Sequence, residues 1–237
     1  MTATIEYIPE TGSTNADLLA RLAGGELVPE GHWLVTDRQT AGRGRQGRSW
    51  IDAPGNFMGS TVVRLHERDP SAATLSFLAA LAVYETVVPR VAAPQSIMLK
   101  WPNDVLMAGS KFCGLLLEMG HGAVIVGIGV NLAAAPEIAG RRTDALKGLS
   151  RNAFAEALAA QFALELQRWR EFGAEPIMRR WQAAAHKPGT PLTVHGSDGD
   201  AISGLFDGLD ATGALRLRLP DGTAQVIHAG DVMLEEG

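Results

Sequence analysis

The sequence predicts an α+β protein, in which a mixed β-sheet domain with packed helices is followed by a small β-barrel. Two observations support this fold class. Residues 4–185 alternate extended and helical patterns, whereas residues 191–234 hold only short alternating runs between turn signals. The 237 residues, of which 46% are hydrophobic, suffice for one large core and a small second domain. We therefore predict two domains, residues 1–187 and residues 188–237.

The first predicted elements are a strand, a helix and a second strand. Thr4–Ile8 alternates as a strand does, and His32–Thr36 is predicted to be a strand that leads toward the arginine-rich segment of residues 42–50. Between them, Ser13-Thr14-Asn15 precedes the leucines of a helix that ends near Gly24. Short hydroxyl and amide side chains at a helix start favour an N-cap, with the binding of a small polar head group as the alternative.

The next segment is predicted to hold a strand, a long helix and a further strand. Asn56–Leu65 is the strand candidate, and Ala72–Val88 is apolar at helical spacing until Pro89 ends it. Ile97–Trp101 is expected to be extended, because a residue before proline avoids the helical region. No apolar run is expected to approach the roughly 20 residues of a membrane span.

A hairpin and a β-rich partner strand follow. Val105–Met107 and Lys111–Met119 flank the turn signal Gly109-Ser110, and Ala123–Leu132 is expected to pair with the strand before it. The segment GIGVN, residues 127–131, places glycines inside that strand. Such glycines indicate either close approach by a ligand or tight strand packing.

Two helices and a run of short strands complete the chain. Arg151–Phe172 is predicted to be a helix with Ser150 as its N-cap, and Ile177–Ala185 continues the helical region. One apolar stripe on the first helix consists of Phe154, Leu158, Phe162, Leu166 and Trp169. Pro191–Leu234 is predicted to form about five strands of a small barrel. Its turn signals are Asp198-Gly199, Thr212-Gly213 and Asp221-Gly222.

Composition narrows the classes of function. A formal net charge of −5 disfavours general binding to nucleic acid, so any anion recognition must be local. Residues 1–9 lack a basic segment followed by an apolar one, so we expect no signal peptide. One cysteine excludes an internal disulfide and fits a reducing, cytoplasmic setting. The six histidines form no ligand pair at helical spacing, so no structural zinc site is expected.

Cys113 has two interpretations. A catalytic thiol needs a nearby base or a lowered pKa, and no histidine lies close to Cys113 in sequence. Its neighbours Phe112, Leu115 and Leu116 are apolar and favour a buried structural thiol.

An arginine-rich loop is the first motif with chemical content. The segment GRGRQGRSW, residues 42–50, interleaves Arg43, Arg45 and Arg48 with three glycines. Glycine allows close approach of backbone N–H groups, and arginine matches phosphate oxygens, so the loop predicts a phosphate site. A solvated basic turn is the alternative. The loop is not a Walker motif, because no Gly-Lys-Ser/Thr follows, and an RNA-binding segment would normally repeat.

The second motif is KWPNDV, residues 100–105, followed by KFCGLLLE, residues 111–118. Lys100, Asn103, Asp104 and Lys111 would suit phosphates, a magnesium ion and a substrate carboxylate. The alternative is that the lysines are solvated at strand ends and that Asn103-Asp104 is only a turn.

Taken in order, STN, GRGRQGRSW, KWPNDV, KFCGLLLE and GIGVN resemble the biotin protein ligase family, over about residues 5–132. The resemblance implies a biotin/lipoate ligase-like catalytic domain and an SH3-like C-terminal barrel. It implies activation of biotin by ATP to biotinyl-5′-AMP with release of pyrophosphate, and then transfer of biotin to a lysine of a carrier domain. Magnesium is the implied cofactor.

The resemblance also implies roles for individual residues. The implied biotin-binding residues are Ser13, Thr14, Asn15, Gln39, Arg43, Gly44, Arg45, Lys111, Gly114 and Leu116. The implied nucleotide-binding residues are Arg43, Arg45, Arg48, Trp50, Lys100, Asn103, Asp104, Lys111 and Asn131. Catalytic roles fall to Arg45, Arg48, Lys100 and Lys111, and Asp104 is the candidate magnesium ligand.

The implied partners are biotin, ATP and a biotin carboxyl carrier domain of a biotin-dependent carboxylase. Relatives pair through the sheet, which makes a homodimer possible. Some relatives carry an N-terminal DNA-binding region, but here the catalytic motifs begin almost at Met1, so DNA and membrane binding are not expected. The alternatives are a lipoate or octanoate ligase of the same superfamily, a non-catalytic biotin or nucleotide sensor, and an RNA-binding module.

Overall fold

The computed structural model describes residues 4–196 and 200–234, and the predicted turn at Asp198-Gly199 lies outside these ranges. The first domain contains, in chain order, β1 (Thr4–Ile8), α1 (Thr14–Ala23), β2 (His32–Thr36), β3 (Phe57–Arg64), α2 (Leu75–Val87), β4 (Ile97–Lys100), β5 (Asp104–Met107), β6 (Ser110–Gly120), β7 (Ala123–Val130), α3 (Arg151–Phe172) and α4 (Glu175–Ala183). The last five strands are β8 (Pro191–His195), β9 (Ala201–Leu209), β10 (Leu215–Arg218), β11 (Ala224–Ile227) and β12 (Asp231–Leu234). Every predicted helix and strand of the first domain is confirmed to within a few residues.

The strands form two sheets, which confirms the α+β prediction. Seven strands form a mixed sheet in the order β1-β2-β3-β7-β6-β5-β4. Only the β1–β2 pair of this sheet is parallel, since the other neighbours run antiparallel. The five C-terminal strands pair antiparallel in the order β11-β10-β9-β8-β12.

The two faces of the large sheet are covered by different helices. Along β7, Val124, Val126, Ile128 and Val130 point into the main core, where α2 and α3 pack. Ala123 and Ile125, on the other face, join a smaller cluster under α1. Because strand side chains alternate, the next α1-facing positions are Gly127 and Gly129. The sequence of β7 therefore provides one continuous apolar face and one face that ends in glycines.

The predicted stripe of α3 is confirmed. Phe154, Leu158, Phe162, Leu166 and Trp169 are all buried in the main core. Ser150 caps this helix as predicted, since its hydroxyl accepts a hydrogen bond from the backbone N–H of Ala153 at 3.3 Å.

The expectation that no apolar run is long enough for a membrane span is wrong for one segment. Residues 72–90 form a continuous helical stretch of 19 residues that is apolar enough to cross a bilayer, and it includes α2. Within the described protein, 61% of that stretch is buried, because α2 packs against α3, α4 and the large sheet. The composition reflects a central core helix rather than a need for lipid.

The small sheet is joined to the main core. Leu192, Phe206 and Leu217 belong to the same apolar cluster as the interior of the first domain. Polar contacts add to this junction, because the Trp101 indole N–H donates to the carbonyl of Gly213 at 3.1 Å. Burial, with a contribution from Lys100, lowers the pKa of His186 beside this junction to about 4. The small sheet therefore has a defined position from which it reaches the cavity described next.

Candidate active site

A cavity of about 730 Å³ opens on the α1-facing side of the large sheet. Strands β3, β6 and β7 form its floor, and residues 42–50, residues 136–143 and β12 form its rim. Every site residue predicted from the sequence lines it: Ser13, Thr14, Asn15, Gln39, Arg43, Gly44, Arg45, Arg48, Trp50, Lys100, Asn103, Asp104, Lys111, Gly114, Leu116 and Asn131. The fold thus brings the separate motifs to one place.

Glycines make room for two side chains on the floor. A Cβ atom added at Gly127 would collide with the Asn15 carboxamide, and one added at Gly129 would collide with the Trp50 ring. A Cβ at Gly114 would lie 3.0 Å from the Trp50 ring and 3.1 Å from the Lys111 Nζ. The glycines of GIGVN therefore serve tight packing, and what packs on them are the side chains of the site itself.

One end of the cavity is lined by neutral polar groups, all buried except the half-buried Gln39, which we call the amide pocket: Thr14, Asn15, Gln39 and Ser60. The Thr14 and Ser60 hydroxyl oxygens lie 2.6 Å apart, and the Ser60 hydroxyl donates to Asn15 Oδ1 at 2.6 Å. Thr14, Asn15 and Ser60 are each at most 3% exposed. A neutral polar ligand would meet groups that are already fixed in position.

The predicted cap of α1 is only half correct. Ser13 occupies the N-cap position, but its side chain makes no cap hydrogen bond within the described residues. The Thr14 backbone N–H instead donates to Gln39 Oε1 at 2.9 Å, and Gln39 lies 25 residues further along the chain. A distant amide therefore caps α1, and Asp52 holds the Gln39 backbone through its N–H at 3.0 Å.

The other end of the cavity carries cations, which we call the cation cluster: Arg45, Arg48, Lys100 and Lys111. Asp104 lies between the two lysines, with Oδ1 2.5 Å from Lys111 Nζ and Oδ2 3.5 Å from Lys100 Nζ. Lys111 also lies 5.9 Å from the Trp50 ring centroid. Asp104 thus orients both ammonium groups toward the cavity.

A β-bulge explains why Lys111 faces the cavity. In the β5–β6 pair, Val105 opposes Cys113 but Leu106 opposes Lys111, so Phe112 is an extra residue. Phe112 and Cys113 are both buried in the main core. Without the bulge, Lys111 would share the face of Cys113, two residues away. The irregularity re-aims one side chain from the core to the site.

The loop of residues 42–50 is a small hairpin whose arginines already have partners. Gly44 N–H donates to the Arg48 carbonyl at 2.7 Å, and Trp50 N–H donates to the Gly42 carbonyl at 2.9 Å. Gln46, at the tip, has φ 55°. We call this segment the arginine loop.

The partners of these arginines come from distant parts of the chain. Arg45 donates to Asn103 Oδ1 and to the Gly230 carbonyl, each at 3.4 Å. Arg48 forms an ion pair with Asp231 of β12, so the small sheet contacts the arginine loop directly. Burial lowers the pKa of Arg45, against the opposing effect of Asp231.

Trp50 and Asn131, two of the predicted nucleotide-binding residues, differ in how they are held. The Trp50 indole N–H is buried without a hydrogen-bond partner among the described residues. The Asn131 carboxamide donates to the Asp144 carbonyl at 3.1 Å and accepts from Asn56 at 3.3 Å. Asn131 therefore anchors the loop that forms one side of the cavity, while Trp50 offers an unused donor.

The sequence analysis gives no role to Ser60 and Asp231, which line the cavity, or to Glu118, which contacts the lining residues Asn15 and Arg43. Ser60 lies in β3, a strand that contains no recognised motif. It reaches the cavity only because the strand register places it opposite Gly127. Asp231 is 183 residues from its partner Arg48. Glu118 ends a recognised motif, and its contacts with Asn15 and Arg43 depend on the fold.

Cys113 is a free, fully buried thiol on the core face of β6. Burial raises the pKa of this thiol well above its usual range. The prediction of a structural thiol is confirmed, and Cys113 does not face the cavity.

Comparison with known proteins identifies the family. Residues 10–133 match the biotin/lipoate A/B protein ligase family, and residues 192–234 match the biotin protein ligase C-terminal domain. The chain belongs to the biotin/lipoate A/B protein ligase family.

Within that family, relatives that match nearly the whole chain are named biotin ligases. The biotin–[acetyl-CoA-carboxylase] ligase of Paracoccus denitrificans is 39% identical over 95% of this chain and 98% of its own length. That of Mycobacterium tuberculosis is 35% identical over 97% of this chain and 88% of its own. The solved biotin protein ligase of Aquifex aeolicus in complex with biotin and ATP has a TM-score of 0.84 at 26% identity, covering 99% of both chains.

Proposed function

We propose that this chain is a biotin–[biotin carboxyl-carrier protein] ligase. It activates biotin with ATP to biotinyl-5′-AMP, releases pyrophosphate, and transfers biotin to a specific lysine of a biotin carboxyl carrier domain. The observation that carries the proposal is the single cavity in which a buried amide pocket adjoins the cation cluster. One end suits a neutral head group, and the other suits a carboxylate that meets a phosphate.

The amide pocket is the site for the biotin head group. The ureido ring of biotin has two N–H donors and one carbonyl acceptor, and Thr14, Asn15, Gln39 and Ser60 supply matching polar groups. Ser13 lines the same end, while Leu116 and Gly114 lead from it toward Lys111. A buried, hydrogen-bonded pocket rejects a ligand that lacks the ureido groups, because its own polar atoms would lose their partners.

The cation cluster neutralises charge in the first half-reaction. The biotin carboxylate attacks the α-phosphorus of ATP, the bond to the bridging oxygen breaks, and pyrophosphate leaves with the electron pair. Two anions must approach each other, and charge grows on the leaving oxygens, so fixed cations lower the barrier. Lys111 faces the carboxylate and α-phosphate, while Arg45, Arg48 and Lys100 face the remaining phosphates. No protein nucleophile is required.

Magnesium fits this site as an ion that accompanies the triphosphate. Asp104 is the one carboxylate among the predicted nucleotide contacts, and both of its oxygens already face lysine ammonium groups. Mg²⁺ usually binds through one or two carboxylates together with phosphates and water. Asp104 would therefore be its single protein ligand, and the ion would supply further charge neutralisation on the phosphate oxygens.

In the second half-reaction, the carrier lysine must reach biotinyl-5′-AMP while water is kept away from it. A neutral lysine amine of the carrier attacks the acyl carbon of the mixed anhydride, an amide bond forms, and AMP leaves. Water would destroy the anhydride, so the arginine loop covers it between the two steps. Trp50 and Asn131 border the adenine position, and Arg43, Gly44 and Asn103 complete the rim.

The proposed enzyme has two domains and acts without DNA. Residues 1–187 form the catalytic domain and residues 188–237 an SH3-like barrel domain that completes the rim. The net charge of −5 gives no general attraction for DNA, so the proposal includes no DNA contact. It places the enzyme in the cytoplasm and includes pairing of two copies through the sheet.

Three incubations test the function. The purified protein with ATP, Mg²⁺ and labelled biotin should exchange labelled pyrophosphate into ATP and should accumulate biotinyl-5′-AMP. Adding a biotin carboxyl carrier domain should transfer the label to its lysine. Lipoate in place of biotin should give neither product, and lipoyl-adenylate formation with no biotin adenylate would contradict the proposal.

A further inference from the structure

Glu118 touches both the amide pocket and the arginine loop. Its Oε2 accepts a hydrogen bond from Asn15 Nδ2 at 2.8 Å, and its Oε1 lies 3.4 Å from the Arg43 guanidinium. It projects from β6 on the same face as Leu116, two residues earlier. Side chains of Glu118 and Arg43 are 25% and 48% exposed, whereas Asn15 is buried. The carboxylate therefore bridges a fixed group and a surface loop.

A carboxylate at this position fixes the orientation of the Asn15 carboxamide. Carboxylate oxygens only accept hydrogen bonds, so the amino side of Asn15 must face Glu118 and Oδ1 must face away. Oδ1 is an acceptor, so the Ser60 hydroxyl donates its only proton to it at 2.6 Å. The carbonyl of Leu116 also accepts from Asn15 Nδ2, but at the longer distance of 3.3 Å.

The direction of hydrogen bonding then extends to the next residue. Because the Ser60 proton is used, the Thr14 hydroxyl must donate to Ser60 Oγ across 2.6 Å. Thr14 Oγ1 also lies 3.2 Å from Gln39 Oε1, and a hydrogen bond there would need the same proton. Because the Ser60 oxygen is closer, the proton goes to Ser60, and Gln39 Oε1 accepts from the Thr14 backbone N–H at 2.9 Å. In this series of hydrogen bonds, the protons of Thr14, Ser60 and Asn15 are donated in the direction of Glu118, and Thr14 Oγ1 at its start keeps acceptor capacity for a ligand N–H. Hydrogen bonds aligned in this way polarise one another.

We infer that Glu118 is a positioning residue that orients the amide pocket for a ligand N–H donor and links that pocket to the arginine loop through Arg43. The inference rests on the proposed function, in which the ligand is the biotin ureido ring. Glu118 does not touch the reacting atoms. It acts through Asn15 on ligand affinity and through Arg43 on the position of the loop.

The test compares Glu118→Ala and Glu118→Gln with Glu10→Gln. Glu10 also pairs with an arginine, Arg38 at 3.0 Å, but lies outside the cavity. Biotin-dependent pyrophosphate exchange gives KM for biotin and kcat, and thermal unfolding gives Tm. A lost charged hydrogen bond should raise KM for biotin about tenfold in Glu118→Ala, with kcat changed less than about threefold. Glu118→Gln should be intermediate, because it keeps one acceptor but not the charge.

The link to the loop is tested by a double-mutant cycle. Arg43→Ala should reduce the retention of biotinyl-5′-AMP less in the Glu118→Ala background than in the wild type. The reason is that the ion pair between Arg43 and Glu118 is already lost in that background. An unchanged KM for biotin in both Glu118 variants would overturn the inference, as would a fall in kcat and Tm alone. Additive effects in the cycle would overturn the link. If Glu118→Ala does not fold, the isosteric Glu118→Gln decides.

Failure of the proposed function is distinguishable. If the wild-type protein shows no biotin-dependent exchange, the proposed function fails at that point. Calorimetric titration of biotin into the wild type and Glu118→Gln then still reports whether Glu118 controls binding in the amide pocket. Equal affinities would reject the role of Glu118, and weaker binding by the variant would support it.

Discussion

The two ends of the cavity are built on different physical principles. In the amide pocket, buried groups such as Thr14, Asn15 and Ser60 already satisfy one another through short hydrogen bonds. In the cation cluster, charges are balanced by counter-ions, since Asp104 faces two lysines and Asp231 pairs with Arg48. A neutral ligand needs a pocket that is preorganised, whereas an anionic ligand can replace a counter-ion. The difference predicts that damage at one end changes binding and damage at the other changes chemistry.

Lys111→Ala should give the largest effect and tests the chemical end. Loss of a fixed cation beside the reacting carboxylate should lower kcat for biotin-dependent pyrophosphate exchange at least about 100-fold, with Tm nearly unchanged. Lys187→Ala, at an exposed position outside the cavity, is the matched control. Normal exchange by Lys111→Ala would remove Lys111 from the mechanism.

Gly127→Ala tests the binding end. The added methyl group would collide with the Asn15 carboxamide, so Asn15 must move and its hydrogen bonds to Ser60 and Glu118 must break. We expect KM for biotin to rise at least about tenfold and Tm to fall by several degrees. Gly12→Ala is the control, since its methyl group would meet open space. A larger loss in kcat than in biotin affinity would contradict the division between the two ends.

Asp231→Asn tests whether a counter-ion in the cation cluster competes with the phosphates of ATP for Arg48. With this carboxylate neutralised, Arg48 has no ion pair to give up when a phosphate arrives, so KM for ATP should fall about two- to fivefold. Asp207→Asn, which breaks the Asp207–Arg216 pair of the same small sheet, should leave it unchanged. A rise in KM for ATP in Asp231→Asn would show that Asp231 assists binding instead of competing with it.

Cys113→Ser should have the smallest effect on catalysis. The thiol lies on the core face and burial raises its pKa, so it cannot serve either end of the cavity as a thiolate. We expect ligation within about twofold of the wild type and a loss of about 1–3 kcal/mol in the free energy of unfolding, from the buried hydroxyl. Rapid reaction of the folded protein with a thiol reagent would contradict this placement.

Much of the fold could be predicted because local patterns carry it. The apolar stripe of α3 and the alternation in β1 are statements about neighbours in sequence, and both elements lie where predicted. The N-cap position of α1 was predicted correctly at Ser13, but the capping side chain was not, because the group that accepts from Thr14 N–H comes from the distant Gln39.

The site was predictable only where motifs mark it. Lys111 and Arg45 stand in recognisable segments, but Ser60 has no motif and Asp231 approaches Arg48 only through the docking of the small sheet. Side chains brought together by register or by docking leave no short-range pattern. The same holds for the extra residue Phe112, since a bulge depends on the partner strand.

The extra residue in β6 constrains how this sequence can change. Removing Phe112 would place Lys111 directly beside Cys113, so regular alternation would still turn Lys111 toward the cavity, but the main core would lose the buried Phe112 ring. The bulge therefore lets two consecutive residues, Phe112 and Cys113, enter the core while Lys111 and Gly114 on either side of them line the cavity. A regular strand of the same length could not do both, so an engineered variant must preserve the pairing of β5 with β6 in which Leu106 lies opposite Lys111.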